Sequence, residues 1–500
     1  MTIGQSANAQ ENQTQSIEQL KAAIESNPAD LAAHEAYLKA SGFTKWGAAE
    51  DPDFIQQYKD WMQKYPKVAA IPYALGHAFA SRESPKAKPF LLKAVEIDPT
   101  FDKAYFDLWI DTERWGDFDL ATSYILKAKE ADPNNADYAF YYANSFSNKD
   151  LRKYTELSLE VARKFPKTER GAQALYWLAN RTPDSKKKIE YYELQKKNFP
   201  PDQFNWTSGG MSAYFDLLLK TDPDKAADLA SYMAGLQSKN ERDLKSWQQN
   251  EANAKHLANS LVLLNKGNAN EALAALDKVV VPRYSGAKNY IMMLKCKALN
   301  AAGKPKDAYQ LLLGAYAKEP DPDIKESLEA YGKELGKKPA KVYEDVWYIR
   351  DTASKVAPNF SLDNYFTKSK SNLSDFKGKV VLLTYWFPGC GPCRGEFPHF
   401  ENVVKQFKGS KDFVYLGINI VAEQDDYVLP FMKSSGYSFI PLRDNDQWEK
   451  GPLNNRNAAP VNFLIDEKGK IIFSNFRTDA DTESTLQAMI SSMINRKKAA

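Results

Sequence analysis

Cysteine is scarce in this chain, with three in 500 residues, too few for a disulfide scaffold. No uninterrupted apolar run approaches the ~18–20 residues that a membrane-spanning helix needs. The longest candidate is Val380–Phe387. An excess of one charge sign is also missing: the net charge is +3, with both signs scattered along the chain. That balance gives no reason to expect nucleic acid or an anionic membrane surface as partner. What remains is a chain of ordinary composition, too long for a single hydrophobic core.

Almost no β pattern occurs in the first 340 residues. Apolar residues recur there at three-and-four spacing, broken by polar turns that often hold proline. Pro66, Pro99, Pro133, Pro166 and Pro200 are 33, 34, 33 and 34 residues apart. Two helices of ~12–15 residues and their turns fill such a period, which predicts stacked helical hairpins. The stretch Asp102–Pro133 has Tyr105 and Leu108, a turn Trp115-Gly116-Asp117-Phe118, then Ala121, Ala128 and Asp132-Pro133. It resembles the tetratricopeptide (TPR) consensus. Small alanines suit places where helices approach closely, and Ala94, Ala128 and Ala162 recur at the 34-residue step. Gly267…Ala272 and Gly303…Ala308 repeat the offset of Gly116…Ala121. Between Pro200 and Asn250 the register is lost, and irregular helices are expected. A concave groove holding a peptide or partner protein is the functional expectation for such an array, and a bare scaffold the plain one. Tyr141-Tyr142, Tyr191-Tyr192 and Trp109 suit a groove or packing between repeats equally, so none is assigned to binding.

The chain changes character after Gly336. Lys337-Lys338-Pro339-Ala340-Lys341 reads as the start of a linker. From Ala357 the apolar runs become short and β-branched or aromatic: Val380–Phe387, Phe413–Ile420, Asn462–Ile465 and Lys470–Phe473. Helical stretches Glu396–Phe407, Tyr427–Ser435 and Thr482–Ile494 lie between or after them. This alternation predicts a parallel-containing sheet covered on both faces, and Asp466–Gly469 reads as a hairpin turn. The expected division is a disordered leader or signal remnant over 1–14, helical repeats over 15–340, a linker over 341–355 and an α/β domain over 356–500. In the leader, Ala7 and Ala9 flank Asn8 like the end of a secretory signal, although no basic start or apolar stretch precedes them.

Two of the three cysteines form Cys390-Gly391-Pro392-Cys393, between a predicted strand and a predicted helix. Thiols three positions apart can close a disulfide without backbone rearrangement. The helix N-terminus favours thiolate over thiol, so reversible thiol–disulfide exchange is expected. Cys390, first and nearest solvent, is the expected nucleophile, and Cys393 the resolving thiol. Other readings are weaker. A zinc site needs about four ligands and only His399 is near. A peroxide-reducing centre would carry Thr and Pro where Phe387 and Leu383 stand. A purely structural bridge rarely sits at such a turn. Cys296, within the apolar helical run Tyr290–Leu299, reads as a small buried hydrophobe.

Ser374–Leu383, then Cys390-Gly-Pro-Cys393-Arg-Gly-Glu396-Phe-Pro398, then Ala459-Pro460-Val461 and Phe463–Asp466, resemble the TlpA/ResA-type thioredoxin-like family over Val356–Met493. The resemblance implies a thioredoxin fold, and with the repeats the expected fold class is an all-α TPR-like helical repeat domain followed by an α/β thioredoxin-fold domain, the long arm being an addition to the minimal family domain. The resemblance also implies disulfide exchange with cysteines of partner proteins, usually outside the cytoplasm. By position, Pro460 matches the family's cis-proline, which with Ala459 offers backbone to a substrate. Glu396 matches an acid that tunes the thiols, and Pro398 a helix kink. Gly391, Pro392 and Trp386 support the motif. Thr384 departs from thioredoxin's buried Asp, which passes proton handling to Glu396 or water. Gly389 replaces a Trp common in the family, which should leave Cys390 less shielded. No cofactor beyond the Cys390–Cys393 disulfide is expected, and no metal. The combined expectation is an extracytoplasmic, periplasmic oxidoreductase contributing to cell redox homeostasis, with repeats that recruit partners. A cytoplasmic location stays open, as does a TPR binding module whose redox chemistry is marginal.

Overall fold

The computed structural model describes residues 16–43, 51–236, 241–282, 285–445 and 451–499. Residues 1–14, where a leader was expected, lie outside these. The chain forms two compact units: residues up to Pro133 with Glu423–Ser435, and Asn134–Ala422 with Gly436 onward.

The first unit is built from helix pairs. Helices Asp102–Arg114 and Phe118–Ala131 pack together, and Ala104, Tyr105 and Leu108 of the first and Ala121, Ile125 and Ala128 of the second are all buried. Between the two helices Gly116 sits at φ +75°, a left-handed conformation that a side chain resists. Asp117 then caps the next helix by accepting from the Leu120 amide. Gly303 and Gly267 repeat this conformation at φ +75° and +81°, ahead of the buried Ala308 and Ala272. The spaced prolines have a physical cause too. Helices end at Lys64, Ile97, Ala131, Lys164 and Asn198, and in each case proline stands two residues further on, where it cannot extend the helix.

Helix Asp425–Ser435, expected within the α/β domain, belongs to this first unit. Tyr427 Oη donates to Asp111 Oδ1 (2.6 Å) and Trp115 Nε1 to Asp111 Oδ2 (2.9 Å). Asp111 is fully buried, and burial pushes its carboxyl above the usual range. A Cβ on Gly116 would lie 2.8 Å from the Phe431 carbonyl oxygen, so only glycine permits this approach.

The second unit continues the helical array and then forms the sheet. Where the 34-residue register fails, the helices are regular but unequal: Asn205–Thr221, Pro223–Gly235 and Glu241–Asn265 hold 17, 13 and 25 residues. The loss of register is thus a matter of length. Residues 341–355 do not form the expected linker. Most of that stretch lies in a helix, Pro339–Ala353, whose Val342 and Val346 join the core of Ala308, Tyr309, Leu312, Ile324 and Leu328. Proline at the first helical position starts a helix rather than breaking one. Arg350, nearly fully buried on this helix, donates to the carbonyls of Ala317 (3.0 Å) and Tyr316 (3.3 Å) and to Ser492 Oγ (3.3 Å). It also lies over the Trp347 and Phe473 rings.

Eight strands are described: β1 Lys355–Val356, β2 Ser361–Asn364, β3 Lys370–Asn372, β4 Val380–Trp386, β5 Phe413–Asn419, β6 Ile440–Arg443, β7 Val461–Ile465 and β8 Lys470–Ser474. Their order is β1-β8-β7-β4-β5-β6-β2-β3, with β4, β5 and β6 parallel and the other pairings antiparallel. Central β4 is buried throughout, which matches its unbroken apolar run. Val381, Leu383 and Tyr385 enter the core on one face; Leu382, Thr384 and Trp386 alternate to the other. The Asp466 side chain closes the β7–β8 turn by accepting from the Lys468 and Lys470 amides.

Candidate active site

Strand β4 ends at Trp386, and after Phe387, Pro388, Gly389 and Cys390 the chain enters helix Gly391–Val404. Cys390 is the N-cap of that helix: its Sγ accepts from the Cys393 amide at 3.2 Å. A sulfur thus occupies the place where a helix presents unpaired N–H groups and partial positive charge, an environment that stabilises thiolate. Cys390 and Cys393 are joined as a disulfide with Cα atoms 5.3 Å apart. Gly391 and Pro392 are exposed between them. Both cysteines are nonetheless buried, Cys390 at 2% exposure and Cys393 at 0%. The shielding expected to be lost with Gly389 is supplied by the fold.

Trp386, fully buried, packs on the active-site helix, with ring centroids 5.6 Å from Phe397 and 4.9 Å from Phe439. Burying each such ring contributes about 1.5–3 kcal/mol, which fixes the helix against the sheet. Pro398 stands inside the same helix, where it removes one backbone hydrogen bond. The Ala459–Pro460 peptide is cis. Tyr385 pairs with Val461 across β4 and β7, so Pro460, buried, lies at the strand end from which the cysteine turn departs.

Glu396 is one helical turn after Cys393 and 4% exposed. Burial raises its carboxyl above the usual carboxylate range, opposed by the hydrogen bond from Asn462, by the Arg477 charge and by the Thr478 amide. Asn462 Nδ2 donates to Oε2 (3.0 Å), the Thr478 amide to Oε1 (3.2 Å), and Arg477 Nε to Oε1. Thr384 Oγ1 donates to Asn462 Oδ1 at 2.7 Å. A hydrogen-bonded chain therefore runs from the Thr384 position to Glu396, so the hydroxyl there serves to orient Asn462. Asn462, Arg477 and Thr478 were not anticipated. Asn462 carried a signal, a polar residue at an inward position of the run Val461–Ile465; Arg477 and Thr478 carried none.

His399 bonds Glu483 Oε1 at 2.6 Å, which also accepts from Asn402. No group of three or more His, Cys, Asp or Glu side chains among the described residues is placed to hold a metal. Cys296 is buried and free; burial pushes its thiol up to about 12, far from reactive.

Comparison with known proteins agrees with this geometry. The redoxin family profile matches residues 352–490. The thiol-disulfide oxidoreductase ResA of Bacillus subtilis is 38% identical over 138 residues, covering 26% of this chain and 72% of that protein. The thioredoxin-like protein YneN of the same organism is 33% identical over 136 residues, 25% of this chain and 77% of that one. The solved thioredoxin domain of a thiol-disulfide oxidoreductase from Bacteroides vulgatus is 25% identical, covering 27% of this chain and 96% of that one, with a TM-score of 0.24. The chain thus belongs to the redoxin family, as a ResA-like thioredoxin-fold thiol–disulfide oxidoreductase that carries a TPR-like helical array ahead of the redox domain.

Proposed function

We propose that residues 356–500 reduce disulfides of partner proteins through Cys390 and Cys393, and that the repeats over 15–340 recruit those partners. The observation that carries the reading is Cys390 Sγ at the helix N-cap, accepting the Cys393 amide. In the reduced protein, Cys390 thiolate attacks a partner disulfide, forming a mixed disulfide and releasing one partner thiolate. Cys393 passes its proton to Glu396 and attacks Cys390 Sγ. The Cys390–Cys393 bond forms as the mixed disulfide breaks, and the second partner thiolate leaves and is protonated from solvent. Two electrons pass to the partner, and the reverse sequence would oxidise a dithiol. Ala459 and Pro460 are assigned the docking of the partner's extended backbone.

Recruitment by the array is supported by a cleft of about 440 Å³ between helices Ser185–Asn198, Asn205–Thr221 and Pro223–Gly235. Lys196, Lys197, Lys225, Tyr214 and Tyr232 line it. The family resemblance supports a place outside the cytoplasm, in the periplasm. The test is trapping with Cys393→Ser in the full chain. Partner proteins should accumulate as reducible adducts on Cys390, and Cys390→Ser should abolish both adducts and disulfide reduction. A Cys390→Ser protein of full activity would refute the proposal.

A further inference from the structure

Arg477 follows β8 and is 81 residues from Glu396. Its Nε donates to Glu396 Oε1 and its Nη1 to the carbonyl of Pro460 at 3.4 Å. One guanidinium therefore joins the buried acid to the cis-proline loop. Its fork supplies donors in a fixed plane, which suits holding two acceptors in a set relation. Glu396 receives donors from Asn462, Thr478 and Arg477, a shell built for a carboxylate rather than for an O–H that must itself donate.

The surroundings leave Arg477 as the charge that opposes burial. From β4 and β7 come the neutral Thr384 and Asn462. From β5 comes the Tyr415 phenol, fully buried, whose ionisation both Glu396 and Glu401 oppose. Cys393 lies one turn back on the same helix. Glu401 accepts from the amide and hydroxyl of Ser438. Helix Glu483–Ala499, packed on the active-site helix, turns Glu483 to His399 and Asn402.

We propose that Arg477 is a positioning residue for thiol–disulfide exchange, holding Glu396 as a carboxylate one helical turn from Cys393 and fixing it relative to the docking carbonyl of Pro460. The proposal rests on the site reading above. In the resolving step the Cys393 S–H gives its proton to Glu396. The Cys393–Cys390 bond then forms as the Cys390–partner bond breaks, and the electron pair leaves on the partner sulfur. A base that is neutral cannot take that proton. Arg477 therefore sets the pH below which resolution slows.

The experiment uses the full chain and two readouts. The carboxyl of Glu396 is titrated by NMR in ¹³C-glutamate-labelled oxidised protein, its signal assigned with Glu396→Gln. The release of the second glutathione is followed after mixing reduced protein with oxidised glutathione across pH. An opposing charge shifts a carboxyl by about 1–3 pH units. Because the Arg477 side chain is 56% exposed, the lower end applies, about one pH unit. In Arg477→Ala the Glu396 titration and the acidic limb of the resolution rate should both move up by about one pH unit, with a fall of about tenfold on that limb. Arg477→Lys should return the limb most of the way, and Lys468→Ala, an exposed change, should move neither. Arg477→Gln keeps the reach without the charge and replaces the Ala variant if that fails to fold. An unmoved Glu396 titration refutes the hold by Arg477. A moved titration with an unmoved rate limb refutes instead Glu396 as the base, and with it the role given to Arg477.

Discussion

Replacing Arg350 tests how much one buried guanidinium holds together. It is 3% exposed, and burial lowers its pKa by more than two units from the usual arginine value, to about 10. At about 1.4 kcal/mol per pH unit, that charge costs about 3 kcal/mol to bury. Against this stand bonds to Ala317 O, Tyr316 O and Ser492 Oγ, at about 1.5–3 kcal/mol each for a charged donor. Stacking over Trp347 and Phe473 adds about 0.5–2 kcal/mol. The two carbonyls belong to the last turn of helix Pro305–Lys318, where no partner exists within the helix. Arg350→Ala strips these carbonyls and opens a cavity, so a local loss of about 4 kcal/mol is expected. Arg350→Met fills the space and relieves the charge, so it should cost about 2 kcal/mol less. Hydrogen exchange read by mass spectrometry over 305–318, 339–353 and 483–496 should accelerate about a thousandfold in the Ala variant and far less in Met. The folded guanidinium titrates only near pH 10, so its contribution should be flat between pH 6 and 9. Exchange rates within threefold of wild type in all three segments of the Ala variant would refute the reasoning.

Glu396 makes a stability prediction independent of its chemistry. Its folded pKa is raised from 4.5 by burial, so its favourable contribution is complete below pH 4.5 and is lost as pH rises through the folded value. In oxidised protein, Glu396→Gln should gain stability relative to wild type between pH 4 and 8, and urea midpoints that stay parallel over that range contradict the assignment. Gly116 and Gly303 share φ +75°, but a Cβ at Gly116 would meet Phe431 backbone while Gly303 has open space. Gly303→Ala should cost about 1 kcal/mol of strain and Gly116→Ala about 2–4 kcal/mol. Comparing their thermal midpoints checks this, and equal losses would show that the approach to Phe431 is relaxed.

Strong local rules made much of the fold legible. Proline just past a helix end and alanine at helix crossings recur at 33 or 34 residues because each solves the same steric problem, and left-handed glycine recurs at the turns between helices. The long apolar strands β4 and β5 and the turn at Asp466–Gly469 were readable for similar reasons. Strands β1, β2, β3 and β6, of two to four residues each, left no pattern, since strands this short are defined by their neighbours. The segment 341–355 misled because its basic, proline-led start resembles a linker, whereas Val342, Val346 and Trp347 give it a buried face. At the site, Cys390, Cys393 and Pro460 could be located from motif and order. Arg477 could not, because its contact with Glu396 spans 81 residues and, although Glu396 lies in the cysteine motif, nothing local marks the arginine.

The helix Pro339–Ala353 also bears on inheritance. A module can be shuffled between genes when its seam is indifferent to what lies on the far side. Here the seam is shared: Arg350 reaches back to Tyr316 and Ala317 and forward to Phe473 and Ser492, while Asp351 pairs with Arg496. A recombination point anywhere in 341–355 would leave both daughters with an uncovered apolar face. Unless compensated at once, such a crossover yields two proteins that chaperones and proteases remove. The last repeats and the redox domain are therefore bound to evolve, and to be degraded, as one piece.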